Sequence, residues 1–149
     1  MLDLNEIEIL QVALAHEERA RAYYGRQAAL HGKSPAGDLF DFLAREEEGH
    51  IRKLSAKFGV PKTEAKWEHR FLPYMIDLDR IAREEEGAGE SDAIRKGLAV
   101  AKRAEEHAVE FYGKAAEAVE DRNTKGLLSE LREEERTHLA RIEELLNRV

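Results

Sequence analysis

The chain has 149 residues, of which 37% are charged and 42% hydrophobic, a length that suits one domain with a substantial buried core. Its net charge of −7 excludes a general positive field for holding nucleic acid or an anionic membrane. The absence of cysteine excludes disulfides, thiolate metal sites and thiol nucleophiles. No apolar run approaches the roughly 20 residues that span a bilayer, and the first residues lack a signal-peptide pattern, so we expect a cytoplasmic protein.

The first two predicted helices form a hairpin over about residues 4–58. The first helix covers about residues 4–30. The second has Ser34 as its N-cap and Pro35 at its first helical position, which are two strong start signals. It ends near Phe58, because a glycine and then a proline follow.

The second hairpin is predicted over residues 91–149. Its first helix starts near Asp92 and runs to about Glu120. The turn DRNTKG follows, in which Asn123 or Thr124 is the predicted N-cap of a last helix that reaches the C-terminus.

A long connection, residues 59–90, joins the two hairpins. It is too long for a turn, and we predict a short helix of its own near residues 74–86 before GAGE breaks the chain. Two short connections flanking one long crossover are typical of a four-helix bundle. We therefore predict an all-α fold in a single domain, residues 1–149.

An internal repeat relates the two hairpins. Shifting the chain by 88 residues, the difference between 17 and 105, places Val12–Leu30 on Val100–Ala118, where eight of nineteen positions are identical. The same shift places Leu39–Leu54 on Leu127–Ile142. Identical positions in this second part include Leu39, Leu43, Glu46, Glu47 and His50. The repeat predicts a pseudo-twofold axis between the hairpins.

Helical spacing aligns six titratable residues with apolar stripes. Residues at i, i+3, i+4 and i+7 of each helix form a stripe that faces the core. In the second helix, for example, Leu43 and Leu54 flank Glu47 and His50. The residues that interrupt the four stripes are Glu17, Glu47, His50, Glu105, Glu135 and His138. Neighbours that we expect to be ordinary surface charge are Glu46, Glu48, Glu133 and Arg136.

Four acids that face one core require positive charge. Two like charges about 4 Å apart repel by about 4 kcal/mol at an effective dielectric of about 20. No Lys or Arg lies near the centres of these stripes, whereas two divalent cations would balance four carboxylates. The i, i+3 spacing of Glu47 with His50, and of Glu135 with His138, puts each pair within reach of one ion. Carboxylate and imidazole without thiolate suit iron or manganese.

One glutamate from each of two helices, with Glu-x-x-His from each of the other two, is the pattern of ferritin-like di-iron proteins. The chain resembles that superfamily and, within it, the rubrerythrin family. The matching motifs are EERARAYY at 17–24, EEHAVEFY at 105–112, EEGH at 47–50 and ERTH at 135–138. Because two Glu-x-x-His elements and two Glu-x6-Tyr elements share one offset, the resemblance covers essentially the whole chain.

The resemblance implies a role for each site residue. In that pattern Glu47 and Glu135 bridge two metal ions. The remaining ligands are Glu17 with His50 at one ion and Glu105 with His138 at the other. Tyr24 and Tyr112 either pack in the core or donate a hydrogen bond to a ligand carboxylate. The histidines off the stripes, which we expect at the surface, are His16, His31, His69 and His107.

The chain departs from the rubrerythrin pattern in two ways. It lacks the four-cysteine rubredoxin-type iron site, so electrons are expected from an external donor protein. The family also has an extra glutamate three residues after the ligand acid of the third long helix, where this chain has Ala108. That substitution weighs against efficient peroxidase turnover and leaves metal binding untouched.

From these observations we expect a non-haem di-iron carboxylate oxidoreductase with two iron ions, or with manganese or a mixed pair as alternatives. It would reduce hydrogen peroxide or dioxygen, or oxidise Fe(II). The alternatives are an iron-handling protein without steady peroxidase turnover and a metal-free helical interaction module. We also expect a homodimer, which the long crossover could join by domain swapping.

Overall fold

The computed structural model describes residues 2–58, 73–87 and 92–149. Within these ranges all regular secondary structure is helical, which confirms the predicted all-α fold. The helices are α1 (Glu6–His31), α2 (Pro35–Phe58), α3 (Leu78–Gly87), α4 (Ala93–Ala118) and α5 (Arg122–Leu146). No helix in the described part of the chain is both long enough and apolar enough to cross a membrane.

Side-chain caps set the starts of α1 and α2. The Asn5 side chain accepts the Glu8 backbone N–H at 2.9 Å, and the Glu8 carboxylate accepts the Asn5 N–H at 2.9 Å, forming a capping box. The Ser34 hydroxyl accepts the Gly37 N–H at 3.0 Å, so α2 starts where the sequence predicts. These bonds satisfy donors that the helices leave free at their first turns.

Aspartates cap the two long helices of the second hairpin. Asp92 accepts the Arg95 N–H at 2.8 Å, which agrees with the predicted start of α4. The carboxylate of Asp121 accepts both the N–H and the hydroxyl of Thr124 at 2.9 Å. The predicted cap of α5 at Asn123 or Thr124 is therefore wrong, because the Asp121 carboxylate already satisfies the first-turn donor.

The four long helices form a bundle of two hairpins. α1 packs along α2 and α4 packs along α5, while α1 also contacts α4 and α2 contacts α5. The short helix α3 packs against α4. Each long helix is therefore in contact with two of the other three, as expected for the predicted bundle.

The described part of the crossover lies against α1 and α4. Arg19 donates to the carbonyl of Ile76 at 2.9 Å, and His107 Nε2 lies 2.9 Å from the carbonyl of Tyr74. α3 occupies residues 78–87 and so covers most of the range, about 74–86, predicted for a short helix. The remainder of the predicted crossover, residues 59–72 and 88–90, lies outside the described residues.

Two apolar clusters fill the bundle, one on each side of a polar layer. The first includes Leu14 of α1, Leu54 of α2 and Leu131 of α5. The second includes Ala20 of α1 and Leu43 of α2. In every long helix the predicted ligand residues fall between these clusters, so the sequence brings them to one level of the bundle.

Candidate metal centre

The polar layer contains all six of the residues that interrupt the apolar stripes. Their exposed fractions are 2% or less, so the stripes turn inward as the helical phase predicts. The layer consists of Glu17 on α1, Glu47 and His50 on α2, Glu105 on α4, and Glu135 and His138 on α5. Each hairpin thus contributes two carboxylates and one imidazole.

Four of these residues form a compact group that can hold a metal ion. One potential ligand atom from each of Glu47, His50, Glu135 and His138 lies within 4.8 Å of the others. The two imidazole rings stack with their centroids 5.6 Å apart and an interplanar angle of 13°. The two Glu-x-x-His elements therefore face each other across the bundle.

Glu47 and Glu135 each lie close to both histidines. Glu47 Oε1 is 3.6 Å from His50 Nδ1 and 3.3 Å from His138 Nδ1. Glu135 Oε1 is 3.4 Å from His50 Nδ1 and 3.1 Å from His138 Nδ1. A carboxylate between two imidazole nitrogens can contact an ion beside either of them.

Glu17 and Glu105 lie at opposite sides of this central group. Glu17 Oε2 is 3.4 Å from His50 Nδ1, and Glu105 Oε1 is 3.8 Å from His138 Nδ1. Both histidines present Nδ1 to the carboxylates. The structure therefore pairs Glu17 with His50, and Glu105 with His138, in two equivalent halves.

Two buried tyrosines complete the layer by donating across the hairpin interface. The Tyr24 hydroxyl donates to Glu105 Oε1 at 2.5 Å, and the Tyr112 hydroxyl donates to Glu17 Oε1 at 2.6 Å. Both side chains are fully buried. Each tyrosine thus holds the acid of the opposite hairpin rather than the acid on its own helix.

Burial and mutual repulsion change the pKa values of the central acids. Burial raises the pKa of Glu47 and of Glu135 well above the usual value, and neighbouring carboxylates raise both further. Glu17 behaves oppositely: burial opposes ionisation, but its proximity to His50 lowers its pKa overall. Ionisation of the two central acids is therefore unfavourable in the folded chain, and a bound cation would favour it.

The same network of carboxylates raises the pKa values of the two layer histidines. Burial lowers the pKa of His50, but Glu17 outweighs it and raises the value to about 9. Burial also opposes protonation of His138, yet its contacts with Glu105 and Glu135 raise its pKa to about 11. The metal-free layer thus holds its positive charge on imidazole, where a cation would otherwise supply it.

Many polar atoms of the layer are buried without a hydrogen-bond partner. They include both carboxylate oxygens of Glu47 and of Glu135, Nε2 of His50 and both ring nitrogens of His138. Unpaired buried polar atoms are unusual and unfavourable in native structures. Carboxylate oxygens and imidazole nitrogens at this spacing fit bound metal ions, which would give partners to the carboxylate oxygens of Glu47 and Glu135 and to Nδ1 of His138.

Two glutamates beside the layer contact the outer nitrogens of the histidines. Glu134 Oε1 lies 3.6 Å from His50 Nε2, and Glu46 Oε1 lies 3.6 Å from His138 Nε2. The prediction that Glu46 is ordinary surface charge is therefore wrong, because its long side chain reaches inward from beside the stripe. The signal in the sequence was the repeat itself, which aligns Glu46 with Glu134.

The prediction of a surface position is also wrong for His16. This side chain is 3% exposed, and burial lowers its pKa below the usual value. Its ring lies 5.7 Å from the half-buried ring of His107, which itself contacts the crossover at Tyr74. His31 is half-buried and stacks on Phe40, and His69 lies outside the described residues.

A sequence model of the protein family described as Rubrerythrin matches residues 8–146. The matched range spans nearly all of the four long helices and every residue of the polar layer. Searches of curated proteins and of solved structures gave no significant match.

Proposed function

This chain belongs to the rubrerythrin family, and on that premise we propose that its polar layer holds two iron ions for oxidoreductase chemistry. The observation that carries the proposal is the set of buried carboxylate and imidazole atoms without hydrogen-bond partners, grouped at ligand spacing. Two divalent ions would balance the four carboxylates. Manganese, or a mixed pair, would suit the same donor atoms.

The contacts within the layer support a role for each ligand. Glu47 and Glu135 would bridge the ions, because each carboxylate lies close to both histidines. The terminal ligands would be Glu17 with His50 at one ion and Glu105 with His138 at the other. Tyr24 and Tyr112 orient the terminal carboxylates by donating to one oxygen of each.

The proposed reaction is reduction of hydrogen peroxide or dioxygen, or oxidation of Fe(II). When bound, the two iron ions would supply the electrons that reduce an O–O bond. The protein's part is to fix the ligand positions and to exclude water, since apolar clusters close the layer on both sides. Because the chain has no cysteine, an external protein would return the electrons.

Metal analysis with anomalous diffraction at the iron edge tests the site directly. We expect two iron ions per chain between the four glutamates after expression in iron-rich medium. The Glu47→Gln/Glu135→Gln variant should lose both ions, while Glu133→Gln, which alters an exposed residue, should keep them. Folded wild-type protein that binds no iron or manganese would overturn the proposal and favour a metal-free interaction module.

Rapid mixing distinguishes the oxidoreductase from an iron-handling protein. We expect peroxide to oxidise the reduced protein quickly and repeatedly when a reductant is supplied. Ala108, fully buried where the family has an additional glutamate, favours the second candidate, in which iron is bound and oxidised once. A single stoichiometric oxidation without turnover would therefore establish iron handling instead.

A further inference from the structure

The outer ring nitrogens of the two layer histidines need an acceptor once the inner nitrogens bind metal. Under the proposed function, His50 and His138 would bind through Nδ1, the nitrogen that faces the carboxylates. A neutral imidazole that binds metal through one nitrogen carries its proton on the other. Both Nε2 atoms are buried and have no hydrogen-bond partner. The groups nearest to them therefore decide which tautomer is stable.

Those groups are carboxylates supplied by the opposite hairpin. Glu134 of α5 approaches His50 of α2, and Glu46 of α2 approaches His138 of α5, at 3.6 Å in both cases. This distance exceeds an ordinary hydrogen bond by about 0.6 Å. Both glutamate side chains are partly exposed, at 33% and 40%, so each has room to make that small movement.

The neighbours of the two imidazole rings fix the ring planes, and the layer carboxylates favour one of the two possible flips. The two imidazoles stack on each other, and Phe42 packs edge-on against His138 with centroids 6.2 Å apart. Turning a ring over would take Nδ1 away from the layer carboxylates and place a carbon atom there. The layer carboxylates therefore favour the orientation with Nδ1 on the inner side and Nε2 on the glutamate side.

A neighbouring cation holds Glu134, whereas Glu46 has none among the described residues. Lys53 Nζ lies 3.3 Å from Glu134 Oε2, which leaves Oε1 facing His50. The repeat places Arg141 opposite Lys53, and its guanidinium stacks over Phe42 at 4.5 Å. Within residues 2–58, 73–87 and 92–149, no Lys or Arg lies at ion-pair distance from Glu46. The glutamate–histidine contact is thus common to both halves, although its surroundings differ.

We propose that Glu46 and Glu134 are positioning residues that accept the Nε2–H of His138 and His50 across the hairpin interface. By holding the proton on Nε2, they keep Nδ1 unprotonated for the metal and make the imidazole a better donor. This inference rests on the proposed function, since it concerns the same two histidines. Each hairpin would thus supply the glutamate that fixes the tautomer of the histidine on the other hairpin.

Zn(II), a diamagnetic probe ion, tests the assignment in the intact 149-residue chain. Nitrogen-15 and proton NMR of the two histidines would be recorded after loading wild type, Glu46→Gln, Glu134→Gln and the control Glu133→Gln. The control alters an exposed glutamate whose carboxylate lies 3.3 Å from Arg136. We expect the Nε2–H signal of His138 to move upfield in Glu46→Gln, and that of His50 in Glu134→Gln.

Zn(II) titration gives an independent measurement on the same samples. Loss of an outer-shell partner typically weakens metal binding by roughly 10–100-fold, which we expect for either variant and not for Glu133→Gln. If wild type binds two ions but neither variant changes the affinity or the matching histidine signal, the positioning role is overturned while the proposed function stands. Wild type that binds neither Zn(II) nor Fe(II) would overturn both.

Discussion

At the scale of single residues, Tyr24 and Tyr112 supply the donors on which the buried acids depend. Burial raises the pKa of both phenols well above 10, and the adjacent carboxylates raise it further. The hydroxyls therefore stay protonated at any ordinary pH and donate to Glu105 and Glu17. Short hydrogen bonds to a carboxylate belong to the stronger class of such bonds.

Replacing Tyr24 by Phe should lower the free energy of unfolding of the metal-free protein by about 1.5–3 kcal/mol, because the Glu105 carboxylate loses its donor. The matched control is Tyr23→Phe, whose hydroxyl donates to the neutral Gly97 carbonyl at 3.0 Å and should contribute about 0.5–1.5 kcal/mol. Urea denaturation with a chelator present measures both. A loss for Tyr24→Phe no greater than that for Tyr23→Phe would contradict this account.

The layer histidines should make metal-free stability depend on pH. The folded protein raises the pKa of His50 to about 9 and that of His138 to about 11, above the usual 6.5. The folded chain then keeps protons that the unfolded chain loses as the pH rises, so the free energy of unfolding should decrease from pH 6.5 to pH 9. Urea denaturation at several pH values with a chelator present checks the sign.

The His50→Gln/His138→Gln variant is the control for that pH dependence. It lacks both groups, so its stability should change less over the same range. A wild-type protein that becomes more stable towards pH 9 would show that the carboxylates do not hold the imidazoles in their charged form.

Helical periodicity was enough to predict that six ligand candidates lie in one buried layer. The same reasoning gave wrong burial predictions where the covering contacts come from distant parts of the chain. His16 lies off the stripe of α1, but His107 and the crossover at Tyr74 cover that face. Neither neighbour is close to His16 in sequence. The prediction for Glu46 was wrong for a different reason, since a long side chain one position off the stripe can still reach His138.

At the scale of elements, the turn between α1 and α2 depends on two glycines. Gly32 has a φ of 56° and a ψ of −143°, a conformation that side chains disfavour. A Cβ atom at Gly37 would lie 1.8 Å from the carbonyl oxygen of Gly32. The first turn of α2 therefore packs directly against the backbone that ends α1.

Gly37→Ala should destabilise the protein by about 1–3 kcal/mol, because the clashing atom is backbone and moves only if the turn opens. Gly25→Ala is the matched control within α1, where the added methyl group meets no atom of the described residues within 4 Å apart from its chain neighbours and the adjacent backbone of α1. It should stabilise the protein by about 0.5–1 kcal/mol, as alanine does within helices. Thermal denaturation measures both, and equal effects in the two variants would contradict the close contact.

Helix starts were predictable where one capping residue stood alone. Ser34 precedes Pro35, and no other residue competes for the start of α2. Before α5, three capping residues occur close together, and the choice depends on where α4 ends. α4 ends at Ala118, two residues before the predicted Glu120, and Asp121 is then placed to cap α5.

At the scale of the whole molecule, the polar layer divides the core and joins the hairpins. Apolar clusters lie above and below it, so the layer is the weakest part of the interior without a cation. Bound ions would contact ligands from both hairpins at once. Metal binding is therefore expected to stabilise the bundle as a unit.

Anaerobic addition of Fe(II) or Mn(II) should raise the melting temperature, and a chelator should reverse the change. A free metal concentration of 100 times the dissociation constant raises the free energy of unfolding by about 2.7 kcal/mol. The Glu47→Gln/Glu135→Gln variant should show no response, and its metal-free form should be more stable, because glutamine removes two buried acids whose ionisation is unfavourable in the folded chain. A wild-type melting temperature that does not change when metal is added would contradict the proposed site.

The homodimer, with or without exchange of hairpins between chains, remains a prediction. Part of the crossover that would connect exchanged hairpins lies outside the described residues. Light scattering of the purified protein tests it, and we expect twice the mass of the chain. A single species at 17.0 kDa would contradict the prediction.

Because the two tyrosine hydrogen bonds cross between the hairpins, each half of the chain depends on the other half to satisfy its buried glutamate. Tyr24 serves an acid of the second half, and Tyr112 serves an acid of the first. A fragment that ended within the crossover would have a carboxylate and a phenol that both lacked their counterparts. Two copies of one such fragment, related by a twofold axis, would each give the other the missing hydrogen-bond donor and acceptor. The single chain therefore has the internal symmetry of an isologous dimer.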